Sequence, residues 1–420
     1  MEASTPRAAA VADAPSKTYV GALGVVTTIF FMWGFMTCMN DILIPHLKNV
    51  FRLGYAEGAL VQFSFFSAYF LMSLPAGKLV ARIGYKRGLP LGLATAGAGA
   101  LLFYPAASLP SYPFFLAALF VLATGITILQ VTANPYVTVL GPPATASSRL
   151  NLTQAFNSLG TTVAPYFGGH FILGAVKHAE DPLAEAHAVR LPYLGLAAML
   201  FVLAGTLAIL KLPTITSVEG EEAKRGSFLD ALAYPQLRRA AVGIFVYVGA
   251  EVSIGSFLVN FFAQPSIAAL TEVQAAKYVS LYWGGAMVGR FIGSAVLRKY
   301  DPGRVLGASA IVAALLVTAT LLLNGPVAMG TILAVGLFNS IMFPTIFALG
   351  IEGLGKLTSQ GSSILVMSIV GGALIPVIFG WLADRIGVHH AFLLPALCYL
   401  YIVHFGFRGS RRAAAPLLRH

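Results

Sequence analysis

Charge is what this chain of 420 residues has least of. Only 10% of it is Asp, Glu, Lys or Arg and 57% is hydrophobic, whereas about a quarter of an ordinary soluble domain is charged. With a mean hydropathy of +0.80, the chain cannot be a water-soluble globule. Acidic residues are scarcer still, 16 against 27 basic ones. Cysteine is almost missing. Cys38 and Cys398 both fall in apolar stretches, where a free cysteine serves as a small hydrophobe, so neither a disulfide nor a metal framework is implied. No GxxxxGK[ST], HExxH or CxxC pattern occurs, which argues against ATP hydrolysis, metal chemistry and an enzyme in the ordinary sense.

Long apolar runs are present instead. A helix needs about 20 such residues to cross a hydrocarbon core of about 30 Å, and twelve windows qualify, from Tyr19–Ile44 to His389–Phe407. The expected fold is an all-α membrane protein with twelve transmembrane helices. The net charge of +11 does not point to nucleic acid, because the basic residues are dispersed among short loops. With both termini in the cytoplasm, 20 basic residues lie on that side and six outside, the asymmetry of a positive-inside topology. Two acids interrupt the apolar windows, Asp41 near the end of the first and Glu251 in the middle of the seventh. A carboxylate in hydrocarbon is costly unless it is wet, partnered or protonated, so both are candidates for proton coupling.

The chain echoes itself at half its length. Gly160, Pro165 and Gly169 reappear 211 residues on as Gly371, Pro376 and Gly380. Pro135 and Gly141 reappear after 209 as Pro344 and Gly350, and Gly77 and Arg82 after 216 as Gly293 and Arg298. Two six-helix halves follow, 19–212 and 237–408, with cytoplasmic tails 1–18 and 409–420. The charged segment 213–236 reads as a cytoplasmic linker, in which Ser227–Arg239 is expected to form an amphipathic surface helix. Parallel halves joined in this way resemble the major facilitator superfamily, whose substrate site lies at mid-membrane between them. The run from Gly77 to Arg87, GKLVARIGYKR, resembles the superfamily's loop signature, except that Ala81 stands where an Asp is usual. GWLADRIG, Gly380 to Gly387, is closer to that pattern, and an ion pair of Asp384 with Arg385 is expected there.

At a finer level the chain resembles the fucose and glucose/galactose symporter family within that superfamily. The matching stretches include FFMWGFMTCMNDILIPHLK (Phe30–Lys48), ANPYVTVLGP (Ala133–Pro142), RLNLTQAFNSLGTTVAP (Arg149–Pro165), YVGAEVSIGSFLVN (Tyr247–Asn260) and FPTIFALGIEGLG (Phe343–Gly355). The resemblance implies proton-coupled uptake of a monosaccharide, with Asp41 matching a carboxylate of the first helix. It also implies a Glu before the ANP motif in the fucose branch. Gln130 stands there in this chain, and Glu251 resembles the glucose/galactose branch, so glucose or galactose is the expected sugar.

The residues support a sugar site in their own right. A pyranose shows hydroxyls on its rim and C–H groups on its faces, which calls for amides and carboxylates that bond in pairs and an aromatic to stack on. The candidates are Asn40, Gln130, Asn134, Gln154, Asn157, Tyr247, Glu251, Asn260 and Asn339, with Trp283 for stacking. Arg290, inside the eighth window, is the candidate gating residue: it could pair with Glu251 or with a helix-end carbonyl and so lock one half against the other, or extend its side chain toward the cytoplasm. No cofactor is expected beyond the coupling ion, H⁺. Acid and amide oxygens could equally hold Na⁺, and the sequence leaves a sodium-coupled sugar carrier open. A drug or metabolite efflux antiporter of the same fold fits less well, since its cavity would favour aromatics and Met over clustered amides. The expected setting is a bacterial inner membrane, with a functional monomer whose partners are the sugar and the bilayer and not nucleic acid. On this reading Asp41→Asn should abolish sugar accumulation against a gradient in vesicles and leave counterflow exchange measurable; undiminished accumulation would remove Asp41 from coupling.

Overall fold

Hydrocarbon offers a backbone no hydrogen bonds, so a chain this apolar has to satisfy its N–H and C=O groups within helices. The computed structural model describes residues 17–51, 55–108, 111–168, 190–213 and 227–410, and gives backbone alone at 39–51, 55–60, 62, 165–168 and 272–273. These residues fold into helices without a strand: α1 (Val20–Phe51), α2 (Tyr55–Ile83), α3 (Tyr85–Ser108), α4 (Tyr112–Val139), α5 (Ala146–Gly168), α6 (Arg190–Ile209), α7 (Pro235–Phe262) and α8 (Glu272–Val296). There follow α9 (Pro302–Leu322), α10 (Gly325–Ile351), α11 (Gly355–Ile386) and α12 (Val388–Gly409). The last three are interrupted by short turns or changes of helical pitch.

Several helices begin before the apolar windows do. α7 starts at Pro235 and α8 at Glu272, because the first turns are set by caps and not by hydropathy. Proline occupies the first helical turn of α4, α7, α9 and α10, where its missing N–H costs nothing. Asp301 accepts from the Arg304 backbone N–H at 2.8 Å to start α9, and Thr271 with Gln274 forms a capping box at α8. The expected surface helix over Ser227–Arg239 is cut in two. Ser227 caps a short helix, Phe228–Leu232, and Tyr234 is extended ahead of Pro235, as the residue before a proline tends to be. The tail 1–16, the linker stretch 214–226 and residues 411–420 lie outside the described residues.

Ten of the helices are long and apolar enough to span a bilayer, counted among the described residues. α5 and α8 fall short. α5 carries Ser147, Ser148, Arg149, Asn151, Thr153, Gln154, Asn157 and Ser158, and α8 carries Gln274, Lys277, Arg290 and Ser294. These two polar helices pack on each other.

The packing repeats with a step of six helices. α1 packs on α5 as α7 does on α11; α3 meets α4 and α6 as α9 meets α10 and α12; α2 lies against α4 as α8 does against α10. Contacts between the halves repeat too, α5 with α8 and α11 with α2. The glycine echo has a physical basis at one pair. A Cβ on Gly160 would overlap the Phe31 carbonyl oxygen of α1, and one on Gly371 would overlap the Phe245 carbonyl oxygen of α7. Close helix approach through small residues is how helices associate without a hydrophobic driving force between them. The expected Asp384–Arg385 pair is not formed; the Arg385 guanidinium lies 3.6 Å over the ring of Trp381, a contact that keeps its charge exposed while using the flat ring.

Similar interlocking joins α3 to α4. A Cβ on Gly125 would run into the backbone nitrogen of Ala96, whereas one on Gly195 of α6 meets nothing within 4 Å. Gly125→Ala should therefore destabilise the fold by roughly 1–3 kcal/mol or more through overpacking and lower the thermal midpoint in detergent by several degrees. Gly195→Ala should leave that midpoint in place.

Candidate substrate and coupling site

The polar residues left over after helix formation gather where the halves meet. In the second half, α7, α8, α10 and α12 surround Glu251. The Tyr247 hydroxyl, fully buried one turn earlier on α7, donates at 2.7 Å to Glu251 Oε1 and lies 3.0 Å from the Asn339 carbonyl oxygen of α10. The Asn339 side-chain amide donates to the Tyr282 hydroxyl of α8 at 2.7 Å. Tyr399 of α12 completes the cluster, within electrostatic range of Glu251 and beside Asn339. Tyr282 and Tyr399 are both 0% exposed.

Two backbone carbonyls are free to accept here because α10 is broken. Pro344 has no N–H to give the carbonyl of Ser340, four residues back, and its ring would clash there. The helix accordingly stops at Asn339 and restarts at Met342. The freed Ser340 carbonyl accepts from Arg290 Nε at 3.3 Å, as the Asn339 carbonyl does from Tyr247. The repeat-related Pro135 of α4 leaves the carbonyl of Val131 without a helical donor, and the Ser362 hydroxyl of α11 donates to it at 3.1 Å.

Arg290 faces two ways. It is close enough to act on Glu251 through space, yet its contacts are to carbonyls and hydroxyls, not to the carboxylate. Its Nη1 reaches across to α5, to the Ser158 hydroxyl and, at 3.5 Å, to the Gln154 carbonyl. Of the two partners expected for it, Arg290 takes the helix-end carbonyl, and it bridges the halves, held by α5 and α10.

In the first half the amides lie on α4 and α5. Gln130, 3% exposed, shares Tyr69 of α2 with Trp33 of α1, both side chains within bonding reach of the phenol. Several buried amides keep bonding atoms unused among the described residues: in the first half Gln130 Oε1, both side-chain atoms of Asn134, Asn151 Oδ1 and Gln154 Nε2, and in the second Asn339 Oδ1. Buried amides without partners are rare, and they suit a ligand that brings its own donors and acceptors. Asn157 differs, since its Nδ2 donates to the Phe30 carbonyl at 2.9 Å and ties α5 to α1. Asn260, at the far end of α7, is exposed and stands apart from the Glu251 cluster. Trp283 is 44% exposed and packs edge-on against Tyr282. Asn40 and Asp41 belong to α1, but their side chains lie outside the described residues. Tyr69 and Tyr399 were not singled out by sequence; each is one of 16 tyrosines, and nothing in its neighbourhood along the chain distinguishes it.

One end of the molecule is closed by a direct contact between halves. The Ser148 hydroxyl of α5 donates to the Ser294 carbonyl of α8 at 2.7 Å, and the Ser294 hydroxyl returns a bond to the Ser148 carbonyl at 3.1 Å. Nearby, Ser359 donates to the Gly77 carbonyl at 3.1 Å, and a Cβ on Gly77 would collide with the Ser363 hydroxyl. Asn151 reaches Thr345 at 3.2 Å. Hydroxyls and glycine hold this end together, which accords with Ala81 standing in place of the signature Asp.

Two like bundles of helices, closed at one end and with unpaired polar groups between them, define a membrane transporter and not an enzyme. The model of the Major Facilitator Superfamily matches residues 23–369, and the chain belongs to that superfamily. Within it the chain belongs to the family of the fucose and glucose/galactose transporters. It is 59% identical over 397 residues to the glucose/galactose transporter of Brucella abortus biovar 1 (strain 9-941), covering 94% of this chain and 95% of that one. It is 35% identical over 417 residues to the L-fucose-proton symporter of Escherichia coli (strain K12), covering 95% of each. A solved structure of the superfamily transporter FucP in the outward conformation superposes with a TM-score of 0.85 at 34% identity, over 93% of this chain and 99% of that one.

The serine pair offers a lock. With Cys38 and Cys398 replaced by Ala, the double variant Ser148→Cys/Ser294→Cys sets two thiols where hydroxyls now lie 3.4 Å apart. Oxidation should join them and reduce uptake to that of empty vesicles, and a thiol reductant should restore it; unchanged uptake with the crosslink formed would show that this contact need not open.

Proposed function

We propose that the protein is a symporter that carries a monosaccharide, glucose or galactose, together with a proton across a bacterial inner membrane. The observation that carries this reading is the pairing of a partnered carboxylate, Glu251, with buried amides that have unused bonding atoms, among them Gln130, Asn134 and Gln154. Such amides match the hydroxyl rim of a pyranose, which can donate to Gln130 Oε1 and accept from Gln154 Nε2. Gln130 carries no charge at any pH, so on this reading it recognises sugar and the proton is left to Asp41 and Glu251. Asn157 holds α5 against α1 beside the sugar, and Trp283 and Asn260 lie toward its periphery. The relatives support both halves of the proposal, the sugar through the glucose/galactose transporter of Brucella and the ion through the fucose-proton symporter of Escherichia coli.

Transport follows by alternating access. The six-helix halves, 19–212 and 237–408, rock about the site while the linker 213–236 spans them, and loading of an acid removes the charge that opposes closure. With both termini cytoplasmic, the Ser148–Ser294 end is the inner one and the site opens outward. The protein works as a monomer.

Proteoliposomes test this directly. An outside pH one unit below the inside should drive radiolabelled galactose to at most about tenfold accumulation for one proton per sugar, and a protonophore should abolish it. Unlabelled glucose and galactose should compete, and fucose should not. Accumulation driven by sodium alone would transfer coupling to Na⁺, and no accumulation under either gradient would end the symport reading.

A further inference from the structure

The Tyr247 hydroxyl has one proton and two acceptors, Glu251 Oε1 at 2.7 Å and the Asn339 carbonyl at 3.0 Å. Both acceptors need it. The carboxylate is half-buried between helices, and the Asn339 carbonyl lies at the break in α10. A buried acceptor left without a donor is expensive, so the allocation of this proton has consequences for both.

We propose that Tyr247 is a positioning residue, a two-way donor that reports the state of Glu251 to the break in α10. The idea rests on the reading of Glu251 as a group that takes up the coupling proton. When Glu251 is a carboxylate, the charge-assisted bond is the stronger one and holds the phenol. Once water in the cavity delivers a proton to Glu251, the neutral carboxyl becomes a weaker acceptor. It can now donate to the phenol oxygen, and the phenol turns its own proton to the Asn339 carbonyl. No covalent bond of Tyr247 breaks; it keeps its proton and rotates about its C–O bond.

The geometry gives this turn somewhere to act. Asn339 O and Ser340 O are adjacent carbonyls at one break, and Ser340 O is held by Arg290, which also grips Gln154 and Ser158 of α5 in the other half. A change in how α10 is held at Asn339 is therefore one residue away from the bridge between halves. The surroundings of Glu251 contain few other charges. Arg290 and Tyr282 face it from α8 and Tyr399 from α12. α10 has no charged residue from Gly325 to Ile351, and α11 has charges only near its ends, Lys356, Asp384 and Arg385. Apart from Glu251, these helices carry acids only near their ends, Glu272 and Asp384.

The test is equilibrium exchange of galactose in proteoliposomes, with the same pH on both sides, scanned over pH. Tyr247→Phe keeps the buried ring and removes the donor, so the carboxylate loses stabilisation and the midpoint should move to higher pH by about one unit. Replacing Tyr247 with 3-fluorotyrosine, a stronger donor of nearly the same size, should move it to lower pH and serves if the Phe variant fails to fold. Tyr136→Phe removes another buried phenol, which donates to the Pro213 carbonyl at 2.7 Å, and should not shift the midpoint. Glu251→Gln is run alongside. If it keeps the wild-type pH dependence, the coupling role of Glu251 falls and this proposal falls with it. If it loses that dependence while both Tyr247 variants keep the wild-type midpoint, Glu251 stands and the role of Tyr247 is overturned.

Discussion

Proline in a membrane helix strips a carbonyl of its donor, and lipid cannot supply another. That debt organises the centre of this molecule. Most hydroxyls settle theirs locally, as when Thr127 and Thr132 each donate to the carbonyl four residues back, a common habit of Ser and Thr in helices. The carbonyls freed by Pro135 and Pro344 have no such recourse. One is met by Ser362 from the opposite half and the other by Arg290, so two repeat-related prolines fix where α11 and α8 lie against their neighbours.

The contacts between halves share a character. They join hydroxyls, an amide and a guanidinium to carbonyls or hydroxyls, and set serine against glycine, with each bond worth a modest amount. Interhelical bonds of this kind average below about 2 kcal/mol in membranes, and water can replace each of them when a cavity opens. Such an interface suits two alternative arrangements better than a buried ion pair would, because removing one partner of a buried pair leaves an uncompensated charge. The loss of the signature Asp at Ala81 is in keeping with this economy of charge.

The halves are alike in packing and unlike in chemistry. In the first, amides on α4 and α5 retain unused bonding atoms; in the second, one carboxylate accepts from Tyr247 amid a cluster of tyrosines, of which Tyr282 accepts from Asn339. Arg290 is in contact with both.

The helical class, the membrane setting and the half-length repeat were legible in the residues, because hydropathy, charge scarcity and glycine–proline spacing act along the chain. Glu251, Gln130, Gln154 and Asn339 were legible for the same reason: a polar residue in an apolar run stands out. Helix starts were not, since capping at Thr271 and Asp301 is written in a few polar atoms outside the apolar windows. Nor could the chain say that Tyr69 and Tyr399 join the polar clusters, that Asn260 stands outside them, or which of Arg290's two expected partners, Glu251 or a helix-end carbonyl, it would take. Those outcomes depend on which helix faces meet, and residues more than a hundred positions apart become neighbours only when the halves pack together.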